Sequence, residues 1–352
     1  MKKLLGVLCL LLLTLPLAAQ QRTGNIYGTV VDTDGNPIPG VEVTLTGSLT
    51  APVTVITNQE GNFRFLSLAP GQDYILTVKL QGFKTVTRGD IIVNVGVNTE
   101  LEITMQMGAL EEEVTVTAAT PVVETKKTTV AENVSREVLQ SLPTSRDPCV
   151  ILQQAAGVMV DRENIGGSES GQMAAFSSKG GGQEMWSMDG ASIQDPASIS
   201  SITYFDFDAF EEMNIQTGGA DVTAATAGVQ INLVTRRGGN KTSLGGRFYL
   251  TDEKFQDENL TDELIEEGIR GTNVIRSIKD YGFNVGGPLF KDKVWWWMSY
   301  GVQDIKTNNI YGNRDDTLLQ NYAAKLNFQL LPENRFEAFA HVGAKEKFGR
   351  SS

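Results

Sequence analysis

The sequence predicts a mainly β protein in three parts: a small β-sandwich, a mixed α+β segment, and the first strands of a transmembrane β-barrel. Three observations carry this. Residues 24–107 are short alternating runs cut by Gly, Pro and Asn. Residues 241–352 alternate strictly between an apolar and a polar face, the two-residue period of a strand. The 36 glycines follow no collagen period and read as turns and bulges.

Composition sets the outer bounds. The 352 residues are 41% hydrophobic and 20% charged, enough apolar material for a packed core. A net charge of −12 argues against a nucleic-acid partner, whose footprint would be basic. The one histidine, His341, cannot supply a His-rich zinc site or several proton relays. No catalytic, metal-binding or cofactor-binding residues are therefore expected.

Met1-Lys2-Lys3, a nearly all-apolar run from Leu4 to Leu17, and Ala18-Ala19-Gln20 read as a Sec signal peptide over residues 1–20. The run is shorter than the ~20 apolar residues of a spanning helix. Cys9 lies inside it, which leaves Cys149 as the one cysteine of the mature chain and no intramolecular disulfide.

Strands follow at Ile26–Val31, Val41–Leu45, Phe63–Phe65, Tyr74–Val78, Ile91–Val97 and Leu101–Met107. Turn clusters at Asp32–Pro37, Asn58–Asn62 and Pro70-Gly71 separate them, and a sandwich of about seven short strands is the expectation. Asp34-Gly35-Asn36-Pro37-Ile38-Pro39-Gly40-Val41, Glu60-Gly61-Asn62-Phe63-Arg64-Phe65, Leu68-Ala69-Pro70-Gly71 and Gly82-Phe83 resemble the carboxypeptidase regulatory-like domain. The resemblance implies a transthyretin-like, carbohydrate-binding-like sandwich over 24–107, and no peptidase activity. Asp32, Asp34 and Asn36 suggest a calcium loop, but Pro37 and Val43 stand where an EF-hand needs Gly and Glu, so an ordinary turn is expected.

Residues 130–240 mix periods. Val134, Val138, Leu139 and Leu142 fall at helical spacing before Pro143. Asp147-Pro148 places proline at the first position of a helix that Gly157 ends. Met213, Ile215 and Thr217 alternate, as do Val229, Ile231 and Leu233. Asp206 and Asp208 form a carboxylate pair of the acid–base kind, yet no nucleophile–histidine pair accompanies them.

The segment resembles the plug domain of TonB-dependent outer-membrane receptors. The carriers are Leu152-Gln153-Gln154, Ala156-Gly157-Val158, Met188-Asp189-Gly190-Ala191, Asp195-Pro196, the run from Tyr204 to Glu212, Thr217-Gly218-Gly219-Ala220, and the run from Gly228 to Asn240. The resemblance singles out Asp189, Gly190, Gly218, Gly219, Gly228, Asn232 and Thr235. One departure is Ala224-Ala225-Thr226-Ala227, where many plugs carry Tyr-Gly.

Residues 108–129, between sandwich and plug, are acidic and then β-prone. They read either as a last sandwich strand with a linker or as a TonB box: Glu112, Glu113, Val114, Thr115, Val116, Thr117 and Ala118. Such a segment would bind its partner by strand addition, through backbone hydrogen bonds.

From Lys241 the two-faced strands begin. Leu244, Phe248 and Leu250 oppose Gly245, Arg247 and Tyr249; Tyr281, Phe283 and Val285 oppose Gly282, Asn284 and Gly286. Ala324, Leu326 and Phe328 oppose Lys325, Asn327 and Gln329; Phe336, Ala338 and Val342 oppose Glu337, Phe339 and His341. Connections read long (Thr251–Asp280, acidic and solvated), short (Pro288–Lys293), long (Asp304–Asn321) and short (Pro332-Glu333-Asn334), as in a barrel with outer loops and periplasmic turns. Trp295, Trp296, Trp297 and Tyr300 are expected as an interfacial aromatic girdle, and His341 as lumen-facing.

By resemblance, the chain is expected to be a TonB-dependent receptor of the outer membrane of a Gram-negative bacterium. Its partners would be the TonB energy-transducing complex, outer-membrane lipid and an extracellular nutrient, with a glycan as one class. A plugged barrel has about 22 strands, and only about five are read here, so the chain reads as a fragment. Two other readings stand beside it: a secreted or surface carbohydrate-binding, adhesive β protein, and a sensor-type receptor, which would need a βαβ signalling domain the sequence does not display.

Overall fold

The computed structural model describes residues 23–47, 50–108, 113–116, 130–142, 146–160, 176–178, 184–194, 203–218, 228–257, 260–268, 271, 273–331 and 334–349. The signal peptide, Glu112, Thr117, Ala118, Asp195-Pro196, Gly219 and residues 224–227 lie outside these.

The first part is a sandwich of β1 (Gly24–Val31), β2 (Glu42–Gly47), β3 (Thr50–Ile56), β4 (Asn62–Leu68), β5 (Gly71–Lys79), β6 (Thr85–Val93) and β7 (Asn98–Thr104). One sheet has the order β4-β1-β7; the other runs β3-β2-β5-β6. Alternate residues face the space between them. Val43, Leu45, Leu76, Val78 and Ile91 are wholly buried, with Phe63 and Phe65 in edge-to-face contact. The buried Tyr74 hydroxyl donates to Ala69 O at 2.8 Å and is satisfied within that core.

Two details differ from the sequence reading. Thr50–Ile56 forms β3, which the polar Thr-rich text hid. The run Ile91–Val97 is split, because the chain turns after Val93 with Gly96 at φ 71°. The Asp32 loop is an Asx turn: its carboxylate accepts from the N–H groups of Asp34 (2.9 Å) and Asn36 (2.8 Å). Those bonds, Asn36 foremost, hold the Asp32 carboxyl below its ordinary pKa.

A four-residue strand, β8 (Glu113–Val116), then joins β6 in parallel and extends that sheet to β3-β2-β5-β6-β8. Both readings of the 108–129 segment fall on this one piece of backbone.

The second part holds β9 (Val130–Ser135), α1 (Arg136–Ser141), α2 (Pro148–Ile151), β10 (Val158–Val160), β11 (Phe176–Ser178), β12 (Met185–Met188), β13 (Ala191–Ser192), β14 (Phe210–Gly218) and β15 (Gln230–Thr235). Its main sheet has the order β13-β12-β15-β14-β9. The middle strand, β15, is buried along all six residues. Ile151, Leu152, Trp186, Ile215, Ile231 and Leu233 form the centre of its core. Asp147 caps α2 by accepting from Cys149 N at 2.9 Å, with Pro148 at the first turn, and Gly157 takes φ 83°. Val134, read at helical spacing, lies in β9, and the helix is confined to Arg136–Ser141. Pairing of β9 with β14 over six positions outweighs the weak local preference.

The third part is an open antiparallel sheet of β16 (Ser243–Asp252), β17 (Val274–Phe290), β18 (Val294–Asn308), β19 (Arg314–Leu331) and β20 (Asn334–Phe348). The α3 helix (Asp262–Glu266), capped by Thr261, lies in the connection from β16 to β17. Leu244, Phe248, Tyr322, Phe336 and Val342 are exposed on one face, while Asp280, Asn284, Gln303, Asn321, Lys325 and Asn327 are buried on the other. Apolar outside and polar inside is the pattern of a lipid-facing barrel wall. Among the described residues no helix is long and apolar enough to cross a membrane.

Two expectations are corrected. The third connection is not a long loop over Asp304–Asn321: β18 and β19 continue to a tight turn, in which Asn309 accepts from the N–H groups of Tyr311 and Asn313 at 3.0 Å. β18 and β19 run for 15 and 18 residues, so the polar residues read as loop are paired strand. The four-residue girdle also divides. Trp295 and Trp297 are 1% exposed on the inner face, because successive strand residues alternate sides. On the outer face Tyr300 meets Phe283 and Tyr322, with ring centroids 6.1 and 4.7 Å away.

Candidate functional site

The plug-like second part lies against the buried face of the open sheet, and three polar clusters bind the two. The first is built on the tight turn after β12. Asp189 (φ 48°) and Gly190 (φ 83°) take left-handed backbone, which aspartate and glycine tolerate. Asn232 on the neighbouring β15 fixes the turn by accepting from Gly190 N at 2.9 Å and Ser187 Oγ at 3.0 Å. Asp189 then accepts from Thr235 N at 3.0 Å and Thr235 Oγ1 at 2.5 Å.

Into this pair reaches Lys325 of β19, whose Nζ lies 2.9 Å from both Asp189 Oδ2 and Thr235 Oγ1 and 3.3 Å from Glu337 Oε1. Glu337 of β20 in turn receives a two-pronged contact from Arg237, Nε at 2.5 Å and Nη2 at 3.0 Å. Two cations and two carboxylates balance, which is what makes four buried charges tolerable.

The second cluster is centred on Arg247 of β16. Its three nitrogens reach Asp206 Oδ1 at 2.7 Å, Asp208 Oδ2 at 2.8 Å and Asp280 Oδ1 at 2.8 Å. Arg146, in the loop before α2, contacts Asp208 at 3.1 Å and Asp280 at 2.7 Å. Burial alone would raise the Asp208 pKa; the guanidiniums of Arg146 and Arg247 outweigh it and hold the carboxyl below its ordinary value. A side chain at Gly301 would run into Arg247 and Asp206, so that position needs glycine. The Asp206–Asp208 pair is thus taken up by arginines, and no group of three metal-ligating side chains converges among the described residues.

The third cluster lies where the plug-like part leads into β16. Asn240 Oδ1 accepts from Asp292 N at 2.9 Å and Trp295 Nε1 at 2.7 Å, and Asn240 Nδ2 donates to Asp292 Oδ1 at 2.8 Å. Arg236 donates to Asn284 Oδ1 at 2.7 Å and stands over the Trp297 ring at 5.7 Å. His341 faces inward as expected, its Nε2 2.8 Å from Tyr204 O.

Of the residues singled out from sequence, Asp189, Gly190, Asn232 and Thr235 meet in the first cluster. Gly218 and Gly228 lie at the opposite end of the β14–β15 pair, since Gln216 faces Gln230. Sequence reading missed Arg146, Arg236, Arg237, Arg247, Asp280, Lys325 and Glu337. The available signal was a charge on the inward-facing set of a two-faced strand, as for Arg247, Lys325 and Glu337.

The family model of the carboxypeptidase regulatory-like domain matches residues 25–106. Over 298 residues the chain is 29% identical to the TonB-dependent transporter Oar of Myxococcus xanthus, covering 80% of this chain and 27% of that protein. It thus spans about a quarter of the length of that curated relative. Among solved structures it overlays on the ferric enterobactin receptor of Pseudomonas aeruginosa with a TM-score of 0.45 at 16% identity, covering 63% of this chain and 34% of that one. The siderophore receptor PirA of the same organism gives a TM-score of 0.41 at 15% identity, over 64% and 36% of the two chains.

The carboxypeptidase regulatory-like domain touches both other parts. Val95 N, in its β6–β7 turn, donates to Glu212 Oε1 of β14 at 3.2 Å. Thr50 Oγ1 and Ala51 N both lie 3.4 Å from Gln329 Oε1 of β19. Glu212 has no cation within ion-pair reach among the described contacts, and burial pushes its pKa up to about 8, the Val95 bond opposing and the Glu211 charge assisting.

Proposed function

We propose that the chain is the N-terminal portion of a TonB-dependent outer-membrane receptor, which takes up an extracellular nutrient with energy from the TonB complex. The single observation that carries this is the seating of the plug-like part on the polar face of a sheet whose other face is apolar. A soluble protein has no reason to bury lysine, arginine and aspartate on one side of a sheet and expose Leu244, Phe248 and Phe336 on the other. Similarity to a protein named a TonB-dependent transporter supports the same reading.

In this reading the outer face meets lipid, with Trp296 and Tyr300 at the interface, and the ion-paired plug closes the lumen. Glu112–Ala118 serves as the TonB box, exposed to the periplasm after export by the signal peptide. A TonB strand adds to it through backbone bonds, and pulling rearranges the plug so that the nutrient passes. The nutrient belongs to no chemical class that the inner face singles out; a glycan is suggested only by the accessory fold.

The test is binding of the purified TonB periplasmic domain to the full-length receptor in detergent, for the native protein and Val116→Pro. Proline removes a backbone donor from the box. The reading expects at least a tenfold loss of affinity with the receptor still folded; unchanged binding refutes the box assignment.

A further inference from the structure

The box segment is already a strand. Residues Glu113 to Val116 pair in parallel with Thr85 to Arg88 of the accessory domain, one to one and without a bulge. The chain is led there by a short guide: Lys84 N donates to Gln106 O at 2.9 Å, Gly108 N donates to Gly82 O at 3.1 Å, and Phe83 bridges Met107. In the sheet order β3-β2-β5-β6-β8 this strand stands last, so its inner edge is used by β6 and its outer edge is the end of the sheet among the described residues.

A strand with one edge paired and one edge outward is the form in which a segment accepts a further strand. Ordering a loose segment opposes binding; here β6 has already imposed the extended conformation, and a partner meets it preorganised. The position also connects to the plug. Two residues beyond the end of β6, Val95 donates to Glu212 of β14, while Thr50 and Ala51 hold the domain to Gln329. Load on β8 therefore has a path through β6 to a plug strand that does not depend on residues 117–129.

Resting on the proposed TonB-dependent function, we propose that the accessory domain presents the box. The β8 strand stays paired with β6 while an extended strand of the TonB periplasmic domain adds to its outer edge, making one sheet across two proteins. The accessory domain is then part of the docking platform and not a passive appendage.

The experiment locks the pairing. Thr87 and Thr115 are Cα partners, at a spacing that parallel strands share with disulfide-bonded cysteines. The full-length receptor carrying Thr87→Cys and Thr115→Cys is oxidised, and its affinity for the TonB periplasmic domain is compared with that of the same protein reduced. Presentation expects the disulfide to form and the two affinities to agree within about twofold. A tenfold or greater loss on oxidation, restored by reduction, means the strand must leave β6 and overturns the proposal; failure of the disulfide to form overturns the pairing itself.

Hydrogen exchange on the unmodified receptor supplies the second reading. The amides of 113–116 are expected to exchange slowly at rest and no faster when the TonB domain is added; release on addition contradicts the proposal. Val116→Pro in the same binding assay separates the two levels. If it leaves binding intact, the box assignment falls; if it abolishes binding while the locked receptor also fails to bind, the box stands and presentation falls.

Discussion

The accessory sandwich and the plug–sheet contact are held together by opposite means. The sandwich closes over wholly buried Val43, Leu45, Leu76, Val78 and Ile91, with its one buried tyrosine hydroxyl satisfied internally. The plug meets the sheet through Arg247, Lys325 and Arg237 paired with Asp206, Asp208, Asp280, Asp189 and Glu337. Apolar burial is non-directional and roughly proportional to area, so it favours a module that stays closed. Buried ion pairs add little net stability but fix one arrangement, and each partner left alone is costly. The sandwich and the contact between the plug-like part and the sheet are thus built from different chemistry.

The largest expected effect breaks the plug side. Arg247→Ala takes the ion-pair partner from Asp206 and leaves Asp208 and Asp280 to Arg146, and removing one partner of such a cluster costs about 3–5 kcal/mol. Limited proteolysis of the full-length receptor should then cut the plug while the accessory domain stays resistant. The complementary substitution, Leu76→Ala, removes a core leucine and costs about 2–5 kcal/mol. Here the accessory domain should be cut first, with the plug still protected. If either variant loosens both parts equally, the division drawn above is wrong.

A smaller effect is expected at the turn. Asp189→Asn keeps a residue that tolerates φ 48° but removes the charge facing Lys325 and turns one of the two accepting oxygens into an NH2 donor, so the loss should be at least that of a charged hydrogen bond, about 1.5–3 kcal/mol. Thermal unfolding in detergent measures it, and a loss below about 0.5 kcal/mol would show that the charge at this turn contributes nothing measurable.

The last effect is read as a pH slope and lies at the junction of the two regions. The folded pKa of Glu212, about 8, stands above its ordinary value of 4.5. The folded state therefore keeps a proton that the unfolded chain has lost between these values. The stability of this contact is fully present below about pH 4.5 and is lost as pH rises through about 8, by at most about 1.4 kcal/mol per pH unit. Glu212→Gln, which can still accept from Val95 N, should flatten that slope; an unchanged slope in pH-dependent melting would place the titration elsewhere.

Much of the architecture was legible because it follows from period. The alternation in β16 to β20 gave the faces of the sheet, and turn chemistry at Asp32–Pro37 and Asp189-Gly190 marked where the chain reverses. The α2 start could be read because Asp147 and Pro148 act locally. The failures share a cause: tertiary partners outvoted local text. Val134 went to a strand because β14 pairs with it, and the third connection shrank because β18 and β19 stay paired beyond the apolar zone. The tryptophan run misled because composition suggests an interface whereas alternation sends Trp295 and Trp297 inward, to Asn240 and Arg236.

The ion clusters were the least legible part, since each joins residues far apart in the chain: Lys325 and Asp189 are separated by 136 positions. A single sequence carries no signal for such a pair beyond a charge on an inward-facing set.

The most direct test of the central claim is where the protein resides. The full-length gene is expressed in a Gram-negative host, and membranes are separated on a density gradient and washed with high salt and urea. The account predicts that the receptor stays in the outer-membrane fraction and is released only by detergent. Recovery as soluble protein in the periplasm or the medium would contradict it, since the exposed Leu244, Phe248, Tyr322, Phe336 and Val342 would then have no lipid to meet.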